Sequence, residues 1–149
     1  MALQALTQRI HHHIPLAKHT AFELQTWQEH RLQLTAPLAV NSNDKGSFFA
    51  GSQVALCTLG GWALTTLMAE QVAGRTVDVV AVNSNIHYQI PLLTAAQVEV
   101  QGVNGDLFCR RIQRRGRAKL QVEVKVYNQA GEITTVFSAI YYARTPQES

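Results

Sequence analysis

The residues best suited to chemistry sit close together in the polar loop and apolar run VNSNDKGSFFAGSQVALCTLGGW, which begins at Val40. Asp44 is the one carboxylate of that loop and could act as base or nucleophile; Asn43 beside it could orient a water or a carbonyl. A helix starting near Gly51 would present unpaired backbone N–H groups and a partial positive charge, both suited to a developing oxyanion. Gly51 has no side chain to keep a reacting oxygen from those donors. Thr58 can hydrogen-bond a water but is a poor general base. Each has a plainer reading: Asp44 as a turn or cap residue, Thr58 as a helix threonine bonded to the preceding turn. Cys57 invites a thiol-nucleophile reading, but no neighbouring base is identifiable and a buried cysteine is inert.

Six cations, Arg110, Arg111, Arg114, Arg115, Arg117 and Lys119, fall within ten residues. Guanidinium groups grip phosphate bidentately, so the cluster suits a phosphate ligand, a solvated rim or nucleic acid, the last weakened by the lack of interleaved aromatics. Arg117 and Lys119 would share one face of a strand. No cysteine, aspartate or second histidine stands at ligand spacing from His30 or His87, and the neighbours His11, His12 and His13 cannot converge from one helix, so no metal site is expected.

These groups need a frame. From Gly51 to Ala69 no residue is charged, and Val54, Leu56, Leu59, Trp62, Leu64, Leu67, Met68 and Val72 surround the helical wheel, so a long helix buried on nearly all sides is expected, capped by Gly74. A membrane span is the rival reading; Ser52, Gln53, Thr58, Thr65, Thr66 and the Gly60-Gly61 pair oppose it. Leu3, Leu6 and Ile10 predict a short amphipathic helix before Pro15. Phe22 to Leu38 reads as one long half-buried strand with a bulge near Thr26 to His30, and Trp27 falls on its polar face. After the helix, strands are expected over 76–90, 96–103, 106–115, 118–128 and 132–144, with Asn104-Gly105 as a hairpin turn and the Pro-Gln-Glu-Ser tail frayed. An antiparallel sheet curled around the apolar helix satisfies both elements.

At 149 residues, 46% apolar and 15% charged, the chain suits one α+β domain, residues 1–149. A net charge of +3 is too mild to argue nucleic acid. Two cysteines without framework or metal spacing fit a reducing cytoplasm, and the start lacks the apolar core of a signal peptide.

The element order resembles the hotdog fold, and so do particular residues. The stretch Asn43-Asp44-Lys45-Gly46-Ser47-Phe48-Phe49-Ala50-Gly51 is similar to the Asn-x-x-Gly-x-x-(His)-Gly-Gly entry of acyl-CoA thioesterases of that fold. Asn85-Ile86-His87-Tyr88-Gln89-Ile90-Pro91 is similar to their Asn-x-x-Tyr-x-x-Pro strand, and Ile14-Pro15-Leu16-Ala17-Lys18 to an Ile-Pro-Leu-Ser-Lys opening. Asn-Asp-Lys-Gly followed by Gly-Ser and a Thr-Leu-x-Gly-Trp helix more closely resembles the thioesterase-like family also found fused behind GNAT-type acetyltransferase domains. The resemblance implies hydrolysis of an acyl-CoA or acyl-carrier thioester, with Asn43, Asp44, Gly51 and Thr58 in catalytic roles. It places Phe49, Ser52 and His87 along the substrate and Arg117 and Lys119 on coenzyme A phosphates. It further implies a homodimer or dimer of dimers, no cofactor beyond the coenzyme A of the substrate, and no nucleic-acid or membrane partner. The chain departs from the pattern at three places. Thr58 stands where many such enzymes carry a helix carboxylate, Phe49 where they carry His, and Ala50 where they carry the first Gly. A non-catalytic acyl-CoA-binding module is therefore the alternative. An acyltransferase is less favoured, since no acetyl-CoA pyrophosphate loop is present.

Overall fold

The computed structural model describes residues 2–147. Helices α1 (Ala2–His13) and α2 (Pro15–His19) lead into strands β1 (Glu23–Gln28) and β2 (Arg31–Ala36), then the long helix α3 (Ala50–Ala73). Strands β3 (Asp78–Tyr88) and β4 (Ala96–Gly102), helix α4 (Gly105–Arg115) and strands β5 (Arg117–Tyr127) and β6 (Ile133–Arg144) complete the chain. One antiparallel six-stranded sheet, in the order β1-β2-β4-β5-β6-β3, wraps α3 as the hotdog resemblance implies. The β4, β5 and β6 registers keep Val98, Val100, Leu120, Val122, Val124, Phe137 and Ala139 on the inner face, all buried. Arg117, Lys119, Gln121, Glu123 and Lys125 alternate outward on β5.

Helix α3 ends where expected, with Gly74 in the left-handed region at φ 67° and its N–H bonded to the Glu70 carbonyl. Two of its glycines are required by packing: a Cβ at Gly60 would lie 2.8 Å from the Val100 side chain, and one at Gly61 would strike the Tyr141 ring. The expectation of burial on nearly all sides needs correction. Residues 63–69 are buried without exception, but Gly51, Val54, Ala55, Thr58 and Trp62 form a partly open stripe along the first half.

Two other expectations are overturned. The long strand of 22–38 is a hairpin turning at Glu29-His30, with Glu29 at φ 54°, and its bulge lies between Leu24 and Thr26. That extra residue changes the parity of β1, so Leu24 and Trp27 both pack toward the core. The strand of 106–115 is instead α4, and Asn104-Gly105 opens that helix rather than a hairpin. Phe108 and Ile112 are one turn apart and buried, with the arginines outward, so helical period wins over β propensity there. Gly116, at φ 70°, ends it. The residues Glu148 and Ser149 of the tail expected to fray lie outside the described residues.

Candidate functional site

The loop 41–49 is held from within. Asn41 is buried and its side-chain amide donates to the carbonyls of Thr20 (2.9 Å) and Pro37 (2.8 Å), while its own carbonyl accepts the Phe49 N–H at 2.7 Å. Asn43 folds the turn: its Oδ1 accepts the N–H groups of Lys45 (2.9 Å) and Ser47 (3.1 Å), and its Nδ2 donates to Ser47 Oγ at 2.8 Å. Asp44 projects from that turn, 81% exposed, 3.3 Å from the Lys45 ammonium. Phe48 is buried, and Phe49 stands at the cap position of α3, 54% exposed.

Phe49 has no side-chain oxygen to cap α3, so the first turn around Gly51 and Ser52 keeps its N–H groups without a capping side chain. The Phe49 ring lies against Gly51, and a Cβ there would come within 2.5 Å of it. Two long-range contacts fix this turn. Tyr88, at the end of β3, donates its hydroxyl to the Ala50 carbonyl at 2.9 Å, and desolvation raises its pKa. Thr135 of β6 donates to Gln53 Oε1 in the buried layer below. Tyr141 anchors the helix lower down, donating to the Thr58 carbonyl at 2.8 Å.

Beside this turn opens a cleft of about 500 Å³ lined by Gly51, Val54, Ala55, Thr58, Leu59 and Trp62 of α3, with Ala81, Tyr141 and part of α2 as its walls. Thr58 is one of its lining residues, whereas Thr65, in the closed half of the helix, bonds back to the Gly61 carbonyl at 2.7 Å. The lining is almost entirely apolar. The cleft can take an acyl chain with its carbonyl at Gly51. Cys57 is fully buried and outside the cleft lining, its thiol pushed up to about 12 by desolvation, which leaves it protonated and unreactive.

The structure therefore puts Gly51 and Thr58 along one cleft, with Phe49 and Ser52 flanking Gly51 at the helix start; Asn43 and Asp44 stand on the preceding loop, outside the cleft lining. It does not bring Arg117 and Lys119 there. Tyr88 marks the α3 start and Asp78 the far end of β3, about 33 Å away at 3.3 Å per residue; Arg117 and Asp78 both pair with Arg144 at that far end. His87 points to the outer face of the sheet, beside Glu123 and Lys125. His30 pairs with Asp106 at 2.9 Å, and no group of metal-ligand type converges among the described residues. Tyr88, Gln53, Trp62 and Tyr141, none of them expected at the site, anchor the helix start or line the cleft. Tyr88 had a signal as the tyrosine of the Asn-x-x-Tyr-x-x-Pro stretch, and Trp62 as the tryptophan of the Thr-Leu-x-Gly-Trp helix.

Residues 3–144 match the family described as "Putative thioesterase (yiiD_Cterm)". Among solved structures, a thioesterase-type protein from Shewanella oneidensis is 29% identical with TM-score 0.86, covering 97% of this chain and 98% of that one. A protein of unknown function from Chlorobaculum tepidum is 22% identical with TM-score 0.84, covering 96% and 94%. A thioesterase from Haemophilus influenzae is 17% identical with TM-score 0.78, covering 98% and 92%. These likenesses bear out the α+β hotdog architecture read from the sequence, and the family match spans nearly the whole chain. The chain belongs to the YiiD C-terminal thioesterase-type family of hotdog proteins.

Proposed function

We propose that the protein hydrolyses an acyl-CoA or acyl-carrier thioester in the cleft beside the α3 N-terminus. The observation that carries this is the meeting of free first-turn N–H groups at Gly51 with an apolar cleft of acyl size. The thioester carbonyl lies at Gly51, where the donors and the helix dipole stabilise the oxyanion as water adds to the carbonyl carbon. Thr58 positions that water from inside the cleft. Asn43 stiffens the rim, and Asp44 is the carboxylate that takes the water proton; its exposure means that a second subunit must close the rim against substrate. The thiolate leaves with the proton and the free acid departs.

A homodimer is part of the reading. β3 is a sheet edge paired only with β6, and it exposes Val80 (57%) and Val82 (49%). Pairing two β3 edges antiparallel would cover the open side of the cleft. It would also carry the partner's Arg117 and Lys119 end toward the first protomer's Gly51, an arrangement in which these cations could serve coenzyme A phosphates. The described residues include no helix long and apolar enough to cross a membrane.

The test is a thiol-release screen across short, long and aromatic acyl-CoAs, with calorimetry alongside. Release by wild type that is lost in Asp44→Ala supports the mechanism; unchanged turnover in that variant removes Asp44 from it. The second reading, a non-catalytic acyl-CoA-binding module, is favoured by the outward-turned Asp44 and by Thr58 in place of a helix carboxylate. Binding without release would establish it.

A further inference from the structure

We propose that Tyr88 is a positioning residue of the reacting centre: its hydroxyl fixes and polarises the Ala50–Gly51 peptide, so that the Gly51 N–H is held ready as the oxyanion donor. This rests on the thioester reading above and names the group that makes its donor effective.

One peptide unit carries both groups. The peptide is trans, so the C=O of Ala50 and the N–H of Gly51 lie in one plane and point in opposite directions. Tyr88, 38 positions away in sequence, donates to that carbonyl at 2.9 Å. The bond acts on the N–H in two ways. It pins the plane and hence the direction of the N–H, and it draws electron density out of the amide, which makes the N–H a stronger donor. Tyr88 does not line the cleft, whereas Gly51 does, so the tyrosine acts through the peptide and not on the substrate.

The way this turn is stabilised points to a role beyond starting a helix. A serine or aspartate at position 49 would cap α3 by taking up its first N–H groups. Phe49 leaves them uncapped, and its carbonyl already accepts the Gln53 N–H at 3.1 Å. Tyr88 instead braces the turn from a carbonyl, which steadies it without occupying its donors.

The brace is itself firmly held. Tyr88 pairs with Thr135 in the β3–β6 register, and the N–H groups of Gln89 and Ile90 both reach the Thr134 carbonyl, at 2.8 and 3.2 Å. Thr135 donates to Gln53 Oε1, and the Gln53 amide reaches the Phe48 carbonyl at 3.5 Å. The Phe48 N–H in turn donates to the Leu92 carbonyl at 2.8 Å. Thr134, Thr135, Gln53, Phe48 and Leu92 are all buried, so the ring of bonds around the first turn is anchored in the core. Donors fixed before the substrate arrives need no reorganisation as charge develops.

The test compares the full-length wild-type protein with Tyr88→Phe, which removes one oxygen from a half-exposed ring and should leave the melting temperature in place. In the ligand-free proteins, the Ala50 carbonyl-carbon and Gly51 amide resonances should shift in the variant while those of Ala63 to Ala69 stay fixed. A short acyl-CoA analogue with an isotope-labelled ketone in place of the thioester cannot be hydrolysed. Its infrared carbonyl band should lie below its position in water when bound to wild type and move back up in the variant, with affinity little changed. Thiol release from acyl-CoA should lose about tenfold in kcat with KM nearly constant. A fluorotyrosine placed at position 88, a stronger donor in the same shape, should move the resonances and the band the opposite way. It also keeps the test decisive if the phenylalanine variant folds poorly. Unshifted Gly51 resonances, or a carbonyl band that is the same with and without the hydroxyl, overturn the role of Tyr88 and leave the thioester reading standing. An analogue that does not bind wild type, or whose band stays at its position in water, contradicts the thioester reading and this inference with it.

Discussion

The two halves of α3 differ in what surrounds them. From Ala63 to Ala69 every residue is buried, enclosed by the sheet, α1 and α4, whereas from Ala50 to Trp62 one stripe stays open to a cleft. The closed half contributes stability and holds the open half in place. The open half leaves apolar surface and helix-end N–H groups unpartnered, which costs stability and makes room for a substrate. A substitution should therefore affect folding or turnover according to which half it enters.

The largest expected effect is on folding. Leu64 is fully buried in the closed half, and Leu64→Ala should destabilise by about 2–5 kcal/mol through lost transfer energy and a residual cavity, read by urea denaturation. Val54→Ala, on the open stripe, should cost under about 1 kcal/mol because its methyls are only partly withdrawn from water. Equal costs would erase the distinction between the halves. Trp62 marks the boundary between them. It lines the cleft and lies beneath the Arg9 guanidinium, whose carbon is 6.0 Å from the ring centroid. Trp62→Ala should shift the preferred acyl group toward longer or bulkier chains in the thiol-release screen, with a moderate loss of stability.

A smaller effect concerns the half-buried pair of Arg9 and Glu70, which are joined by two hydrogen bonds of 2.8 and 2.9 Å and tie α1 to the closed half. Glu70 also accepts the Val77 N–H at 3.0 Å, so Arg9→Met leaves that carboxylate partly satisfied and should cost about 1 kcal/mol. The mildest effect is alkaline. Desolvation raises the thiol of Cys57 and the hydroxyls of Tyr88 and Tyr141 in the fold, so above the ordinary thiol value of 9.0 the unfolded chain releases protons that the folded one keeps. Stability is then full below that value and declines as pH rises past it, and the melting temperature should fall in step. Cys57→Ala should flatten part of that decline.

Much of this contrast could be read from the sequence, for identifiable reasons. The charge-free run Gly51–Ala69 fixed α3, Gly74 its end, and the alternation of Leu120 to Val126 the core strand β5. The open stripe could not be read, because its apolar Val54, Ala55 and Trp62 look like core residues until the edge strand β3 is seen to leave them uncovered. The hairpin at Glu29-His30 carries no Asn-Gly or Gly signature; a glutamate takes the positive φ. In α4 the one-turn spacing of Phe108 and Ile112 was present but was outweighed by the hairpin reading of Asn104-Gly105. Gly51 and Thr58, which line the cleft, stand out in the local pattern of the loop and helix. The contacts of Tyr88 with Ala50 and of Thr135 with Gln53 join residues 38 and 82 positions apart, a separation that leaves no local trace.

The most direct test of the open half as a thioester site is Gly51→Ala, assayed beside wild type for thiol release and melting temperature. Alanine favours the helix by about 1 kcal/mol and displaces only the exposed Phe49 ring, so the melting temperature should hold. The added methyl blocks the oxyanion position, and turnover should drop about a hundredfold. Undiminished turnover by a stably folded Gly51→Ala protein would contradict the assignment of the α3 N-terminus as the reacting centre.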